Sequence, residues 1–196
     1  MRETAALVQN GSISDRIADA LLRLDFFTFF HSCRVEKLAA TIGRHLSLTS
    51  KEIMILKQGA LLHDIGKLEV PSEILNKQDP LTPQEIALIQ EHPIHGYDFA
   101  RSIEMNDSVC RIILHHHIWA NGEGGYPAGK NLRPCLLTQI TTVADVVDAM
   151  TSERPYRTSL SITECIEYLE SNTGKKYNPD VVQVVKQIIS RMYNAV

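Results

Sequence analysis

The chain has 196 residues, with 20 Lys and Arg against 23 Asp and Glu and a formal net charge of -3, a balance that argues against a general DNA or RNA binder, which needs a basic face. With 44% hydrophobic residues it is an ordinary globule, long enough to bury roughly 70% of its unfolded surface without disulfide staples. No apolar run approaches the roughly 18 to 20 residues of a membrane span, and MRETAALVQNGSISD lacks a basic-then-apolar signal pattern. The cysteines, Cys33, Cys110, Cys135 and Cys165, form no CxxC pair, so a cytoplasmic protein with no membrane partner is expected.

Helix follows helix along the chain. Ile13, Ile17, Leu21 and Leu24 recur at helical spacing behind Ser12 or Ser14 as N-cap. Residues 1–25 therefore read as an N-terminal helical extension ahead of a main domain at 26–196. His31, Val35, Leu38 and Ile42 share the next helical face, which puts an imidazole on a buried stripe where it needs a partner. KEIMILKQGALL, from Lys51 to Leu62, is helical again, and Gly66 is the expected stop.

Thr82, Pro83 and Glu85 make a capping box with proline at the first helical position, opening a helix that ends near Glu91, His92 and Pro93. Further helices are expected around Asp107 to His116, Thr138 to Thr151, Ser161 to Ser171 and Pro179 to Tyr193. The last carries Val181, Val184, Val185 and Ile188 on one face. Strand signals are scarce, so the fold class is all-α and bundle-like. The stretch from Ala120 to Pro134, rich in glycine with two prolines, is a long surface loop of the kind that carries function or is disordered.

The histidines carry the chemistry. Of eight, only His45 lies apart; the rest fall at His31, at His63, at His92 and His95, and in the run His115, His116, His117. Asp64 directly follows His63, and Asp145 lies downstream. Imidazoles with carboxylates suit a first-row transition metal such as iron, manganese or zinc, whereas thiolates would favour zinc or an iron-sulfur centre. Adjacent residues of a helix point about 100° apart, so His63 and Asp64 can address two ions or grip one from two sides.

Taken in order, HSCRVEKLA, ALLHDIGKLEVPSEILNK, LTPQEIALIQEHPIHGYDFA, HHHIWANGEGGYPAG, ITTVADVVDAMTSERPYR and KKYNPDVV resemble the HD-GYP domain, a branch of the HD metal-dependent phosphohydrolases. The resemblance implies a helical HD-domain bundle with a long GYP loop. Its implied metal ligands are His31, His63, Asp64, His92, His116, His117 and Asp145, holding two divalent ions, iron first, with manganese or another transition metal as alternatives. The implied activity is hydrolysis of cyclic di-GMP to pGpG or GMP by a metal-activated water, with Asp64 and Lys67 as catalytic residues.

Gly124, Gly125, Tyr126 and Pro127 would form the substrate loop, and Arg154 and Arg157 would grip phosphates with planar forks. Asp148, three residues after Asp145, is expected to orient a ligating histidine. The chain departs from the pattern at Ile118 and at Asn121-Gly122, where acids are common. It departs again at Phe27, where some members supply a glutamate for a third ion. His95 is expected beside the site rather than in it. The choice of His116 and His117 over His115 rests on a shifted loop alignment. Alternatives are a phosphohydrolase of the same superfamily acting on another nucleotide, and a non-catalytic cyclic di-GMP receptor. A signalling protein docked on the GYP loop and a homodimer are the further partners to consider.

Overall fold

The computed structural model describes residues 12–127, 132–153 and 159–193, the side chains of 191–193 excepted. The elements run α1 (Ile13–Arg23), α2 (Phe26–His45), α3 (Ser50–Leu62), a 3-10 helix η1 (Ile65–Glu69), and α4 (Ser72–Leu75). They continue with α5 (Pro83–Ile89), α6 (His92–Ser102), α7 (Asp107–His115), α8 (Leu136–Thr151), α9 (Ile162–Ser171) and α10 (Pro179–Tyr193). Among the described residues no strand occurs beyond an isolated bridge between Thr173 and Tyr177. The all-α expectation holds.

Local chemistry sets most of the starts. Ser12, Thr49, Thr82 and Ser161 each cap a helix through a reciprocal box with the acid three residues on, satisfying two backbone donors that the first turn leaves free. Two apolar clusters result. Val35, Ala39 and Ile42 of α2, Leu56 and Ala60 of α3, Ile140 to Val147 of α8 and the apolar faces of α9 and α10 make the first. Leu62, Ile65, Ala100, Ile103, Val109, Cys110 and Ile113 make the second, with Ala20 of α1 buried against it. α3 belongs to both, and its C-terminal end lies at the seam.

The helix opened by Thr82 ends at Ile89, close to the expected Glu91 to Pro93, and an unpredicted helix, α6, starts directly after it, because Pro93 falls in its first turn, where a missing N–H costs nothing. Gly66 is no helix stop. α3 ends earlier, at Leu62, and Gly66 lies inside η1, crossing α6 so closely that a Cβ would sit 2.0 Å from the carbonyl oxygen of His92 and 2.4 Å from the nitrogen of Gly96. The missing side chain is what lets Asp64 and His92 approach.

Gly66→Ala is therefore expected to destabilise the fold by about 3 kcal/mol, at the upper end of overpacking costs, because backbone and not a flexible side chain must move. Chemical denaturation measures it, and metal content should fall with it as His92 is displaced.

Candidate metal centre

Three histidines are oriented by one device. α3, α5 and α7 end at Leu62, Ile89 and His115, so the carbonyls of Ala60, Ile89 and Ile113 lie in last turns with no intrahelical N–H to accept. Each accepts instead from a histidine three residues on: His63, His92 and His116 donate from Nδ1 at 2.7 Å. A carbonyl cannot donate, so Nδ1 holds the proton and Nε2 of each neutral ring is a lone pair. These lone pairs converge. The Nε2 atoms of His92 and His116 lie 3.2 Å apart, and that of His63 is buried with no hydrogen-bond partner. Facing lone pairs in a dry interior repel one another unless a cation lies among them, so the residues fit a metal.

Asp64 stands between the histidine groups. Its Oδ1 is 3.2 Å from Nε2 of His92, while its Oδ2 is 3.4 Å from Nε2 of His63 and 3.8 Å from Nε2 of His31. Lys67 donates to Oδ2 at 2.6 Å. Asp145 Oδ1 lies 3.0 Å from Nε2 of His31 and 3.9 Å from Nε2 of His63. The donor atoms form two sets, His31 with His63 and Asp64, and His92 with His116 and His117, each within 4.8 Å.

Charge states follow from the neighbours. Burial works against ionising Asp64, but the Lys67 ammonium outweighs it and holds the carboxyl well below the usual carboxylate range. Asp145, mostly buried, is likewise held down against the cost of burial, chiefly by its hydrogen bond to His31. Burial is the main cause that pushes the His116 imidazole well down and that takes His117 to about 4. His31 moves the other way. Burial opposes its charge, yet hydrogen bonds to Asp145 and Asp148 prevail and push it up to about 9.

His31 is fixed from behind. Asp148 Oδ2 accepts from its Nδ1 at 2.7 Å, and Arg34 grips the same carboxylate through two nitrogens at 2.6 and 2.9 Å. Burial resists ionisation of Asp148 too, but His31 and Arg34 take it down to about 2. Asp148 was legible in the sequence. Arg34, three residues after His31 on α2, was not, although that i,i+3 spacing was its signal.

The GYP loop closes the other side. Gly125 has φ +92°, and a Cβ there would lie 1.9 Å from the carbonyl oxygen of His117, so only glycine lets the loop pass. The Tyr126 ring then stacks on His117 at 4.3 Å, and burial keeps its phenol protonated. Pro127 follows. The loop is tied down where Ala120 and Asn121 donate their N–H groups to the carbonyls of Lys176 and Lys175.

All seven predicted ligands thus come together with Lys67 and Tyr126, while Arg154 and Arg157 lie outside the described residues. His45 is exposed and bonds to the Thr41 carbonyl; His95 faces Glu91 at 3.7 Å; His115 joins neither donor set. Phe27 is exposed beside Phe26 and Phe30, which with His31 and Lys67 line a cavity next to the centre.

The HD domain family model matches residues 17–181. A cyclic di-GMP phosphodiesterase of Pseudomonas aeruginosa is 36% identical over 170 residues, covering 83% of this chain and 40% of that protein. A 3'3'-cGAMP-specific phosphodiesterase of Vibrio cholerae is 32% identical over 165 residues, covering 84% of this chain and 36% of the relative. The chain spans less than half the length of these curated relatives.

Among solved structures, an HDG"Y"P protein from Bdellovibrio bacteriovorus superposes with a TM-score of 0.68 at 24% identity, over 83% of this chain and 52% of that one. The HD domain of PgpH from L. monocytogenes in complex with cyclic-di-AMP gives 0.61 at 19%, over 86% and 90%. At those identities the likeness is one of fold. With most of its length matched by the family model and its histidines and aspartates gathered at one seam, this chain belongs to the HD-domain family.

Proposed function

We propose that this chain is a metal-dependent phosphodiesterase that opens cyclic di-GMP to pGpG or GMP. The observation that carries the reading is Asp64, one buried carboxylate whose oxygens face two different sets of histidine nitrogens. His31, His63, Asp64 and Asp145 would hold one divalent ion; His92, His116 and His117, sharing Asp64, would hold a second. With phenylalanine at position 27, a third site lacks its acid. An N/O donor set without thiolate suits iron, with manganese or another transition metal as alternative. Such a pair, when bound, activates water and neutralises charge on a phosphodiester.

The chain's own residues supply the rest. Lys67, pinned to Asp64 and one-fifth exposed, presents an ammonium toward the entering phosphate and stabilises charge as the leaving oxygen departs. Tyr126, kept protonated, offers an O–H to a phosphoryl oxygen, and Gly125 and Pro127 shape the approach. Arg154 and Arg157 would clamp phosphates bidentately, a role resting on the motif alone. Residues 26–196 would form the catalytic unit, with α1 of the 1–25 extension packed on it. Unpaired cysteines fit a cytoplasmic setting. A signalling protein at the GYP loop and a second copy of the chain remain the candidate macromolecular partners.

Names among the relatives support the substrate: several are cyclic di-GMP phosphodiesterases, from Pseudomonas aeruginosa, Thermotoga maritima and Xanthomonas campestris. A second reading is hydrolysis of 3'3'-cGAMP, favoured by the near-equal identity of the Vibrio enzyme. Reduced protein loaded with iron or manganese should be incubated with both dinucleotides and with cyclic di-AMP. Turnover of cyclic di-GMP is expected. Full metal occupancy without it would remove the reading, and faster turnover of 3'3'-cGAMP would install the second.

Asp64→Ala should cut turnover by roughly a thousandfold or more and lower metal content, Asp148→Asn should cost roughly 10- to 100-fold, and exposed His45→Ala should change neither. Elemental analysis beside steady-state kinetics separates the three.

Metal loading should also release protons. In the metal-free chain His31 stays charged up to about pH 9, so an ion taking its Nε2 must displace a proton below that pH. Affinity is expected to rise with pH from neutrality to about 9 and then level off. Titration calorimetry of manganese in buffers of different ionisation enthalpy reads the proton count, and Asp148→Asn should reduce it.

A further inference from the structure

Three large rings near the start of α2 are on the surface although each belongs by size in a core: Phe26 is 68% exposed, Phe27 49% and Phe30 44%. They form one cluster, with the rings of Phe26 and Phe30 4.5 Å apart and those of Phe26 and Phe27 edge-on at 5.7 Å. The cluster is concave. With Thr28, Leu75 and Asn76 it lines a cavity of about 420 Å³, within the range of small-molecule sites. Two walls of that cavity, His31 and Lys67, are also walls of the candidate metal centre. Arg34 stands on the same side, and the acids lining the cavity are Asp25 and Glu153.

This arrangement is polarised in a way that a general apolar docking face is not. Cations and the metal centre lie at one side, suited to a phosphodiester; flat aromatic surface lies at the other, suited to a purine, since every base offers a π-face and stacking tolerates exposure. The carboxylates differ in availability. Asp25 already accepts from the Thr28 N–H as the cap of α2. Glu153 is exposed at the end of α8. A carboxylate accepts two hydrogen bonds, which matches the N1–H and N2–H edge of guanine; adenine presents an acceptor at N1 and would meet it with repulsion.

Building on the phosphodiesterase reading, we infer that the phenylalanine cavity is a guanine-binding subsite, in which one base of the substrate stacks on Phe26, Phe27 and Phe30 with Glu153 accepting from its Watson–Crick edge. The subsite selects a guanine nucleotide over an adenine one and positions the adjoining phosphate at Lys67.

The test uses GMP and AMP as probes, with binding to the full chain followed by calorimetry or by chemical-shift changes, so it does not depend on turnover. Wild-type protein should bind GMP at least tenfold more tightly than AMP. Phe27→Ala and Phe30→Ala should each weaken GMP binding about tenfold, while Phe30→Tyr, which keeps a ring, should preserve it. Glu153→Gln should close most of the gap between GMP and AMP. Equal binding by wild type and the alanine variants would overturn the subsite, as would no GMP binding at millimolar concentration. A change of oligomeric state in the alanine variants with unchanged GMP binding would assign the rings to a contact between copies and equally overturn it. If wild type shows the GMP preference and its loss in the variants but never cleaves cyclic di-GMP, the phosphodiesterase reading fails and the subsite stands.

Discussion

Everything in the centre depends on a hydrogen bond that no catalytic argument would single out, the one from a histidine Nδ1 to a carbonyl in the last turn of a helix. A helix C-terminus leaves its final carbonyls unsatisfied, and burying them unpaired costs on the order of 1 to 3 kcal/mol each. His63, His92 and His116 satisfy such carbonyls in α3, α5 and α7. The same bond fixes tautomer and ring direction, so stability and metal readiness are one interaction. It also places the residues at helix ends, where chain direction changes and neighbouring positions are free to face inward.

Convergence of that many lone pairs and carboxylates is tolerable only because opposite charges are built in beside them. Lys67 answers Asp64, and Arg34 answers Asp148, which in turn holds His31. In the absence of an ion the cluster supplies its own cation by protonating His31, as the push to about 9 records. His116 and His117 are held neutral by burial instead, with Nε2 of His116 directed at its counterpart on His92. The shifts at His31 and at the His116–His117 pair thus run in opposite directions. Ion binding at the two need not share a pH dependence.

How far the sequence could be read divides along physical lines. Amphipathic periodicity and capping boxes are local, so α1 to α3, α5 and α7 to α10 were legible, as were the fold class and the residues that meet at the seam. α6 was not, because Pro93 and Gly96 look like breakers until the first is known to sit in a first turn and the second at a helix crossing. Gly66 misled for a related reason: a glycine required for close approach between distant segments has the same one-dimensional signature as a helix stop. Arg34 and the exposed phenylalanines were missed because their meaning is tertiary. A guanidinium on a solvated helix face and a run of phenylalanines broken by Thr28 say little until Asp148 and the cavity lie beside them.

The seam between the two apolar clusters explains why the candidate metal centre can be both buried and precise in geometry. Each cluster is a packed body that transmits strain rather than absorbing it. α3 spans both, so His63 and Asp64 issue from a helix whose position both bodies determine, while His31 and Asp145 come from the first cluster and His92 and His116 from the second. A sideways shift between the bodies would separate the two donor sets and leave Asp64 with only one. The glycine crossing at Gly66 and Gly96 opposes that shift, because backbone against backbone leaves no side chain to yield. The bridging position of Asp64 is thus a property of how the two cores are locked together, and it should be lost by changes at the crossing that touch no ligand.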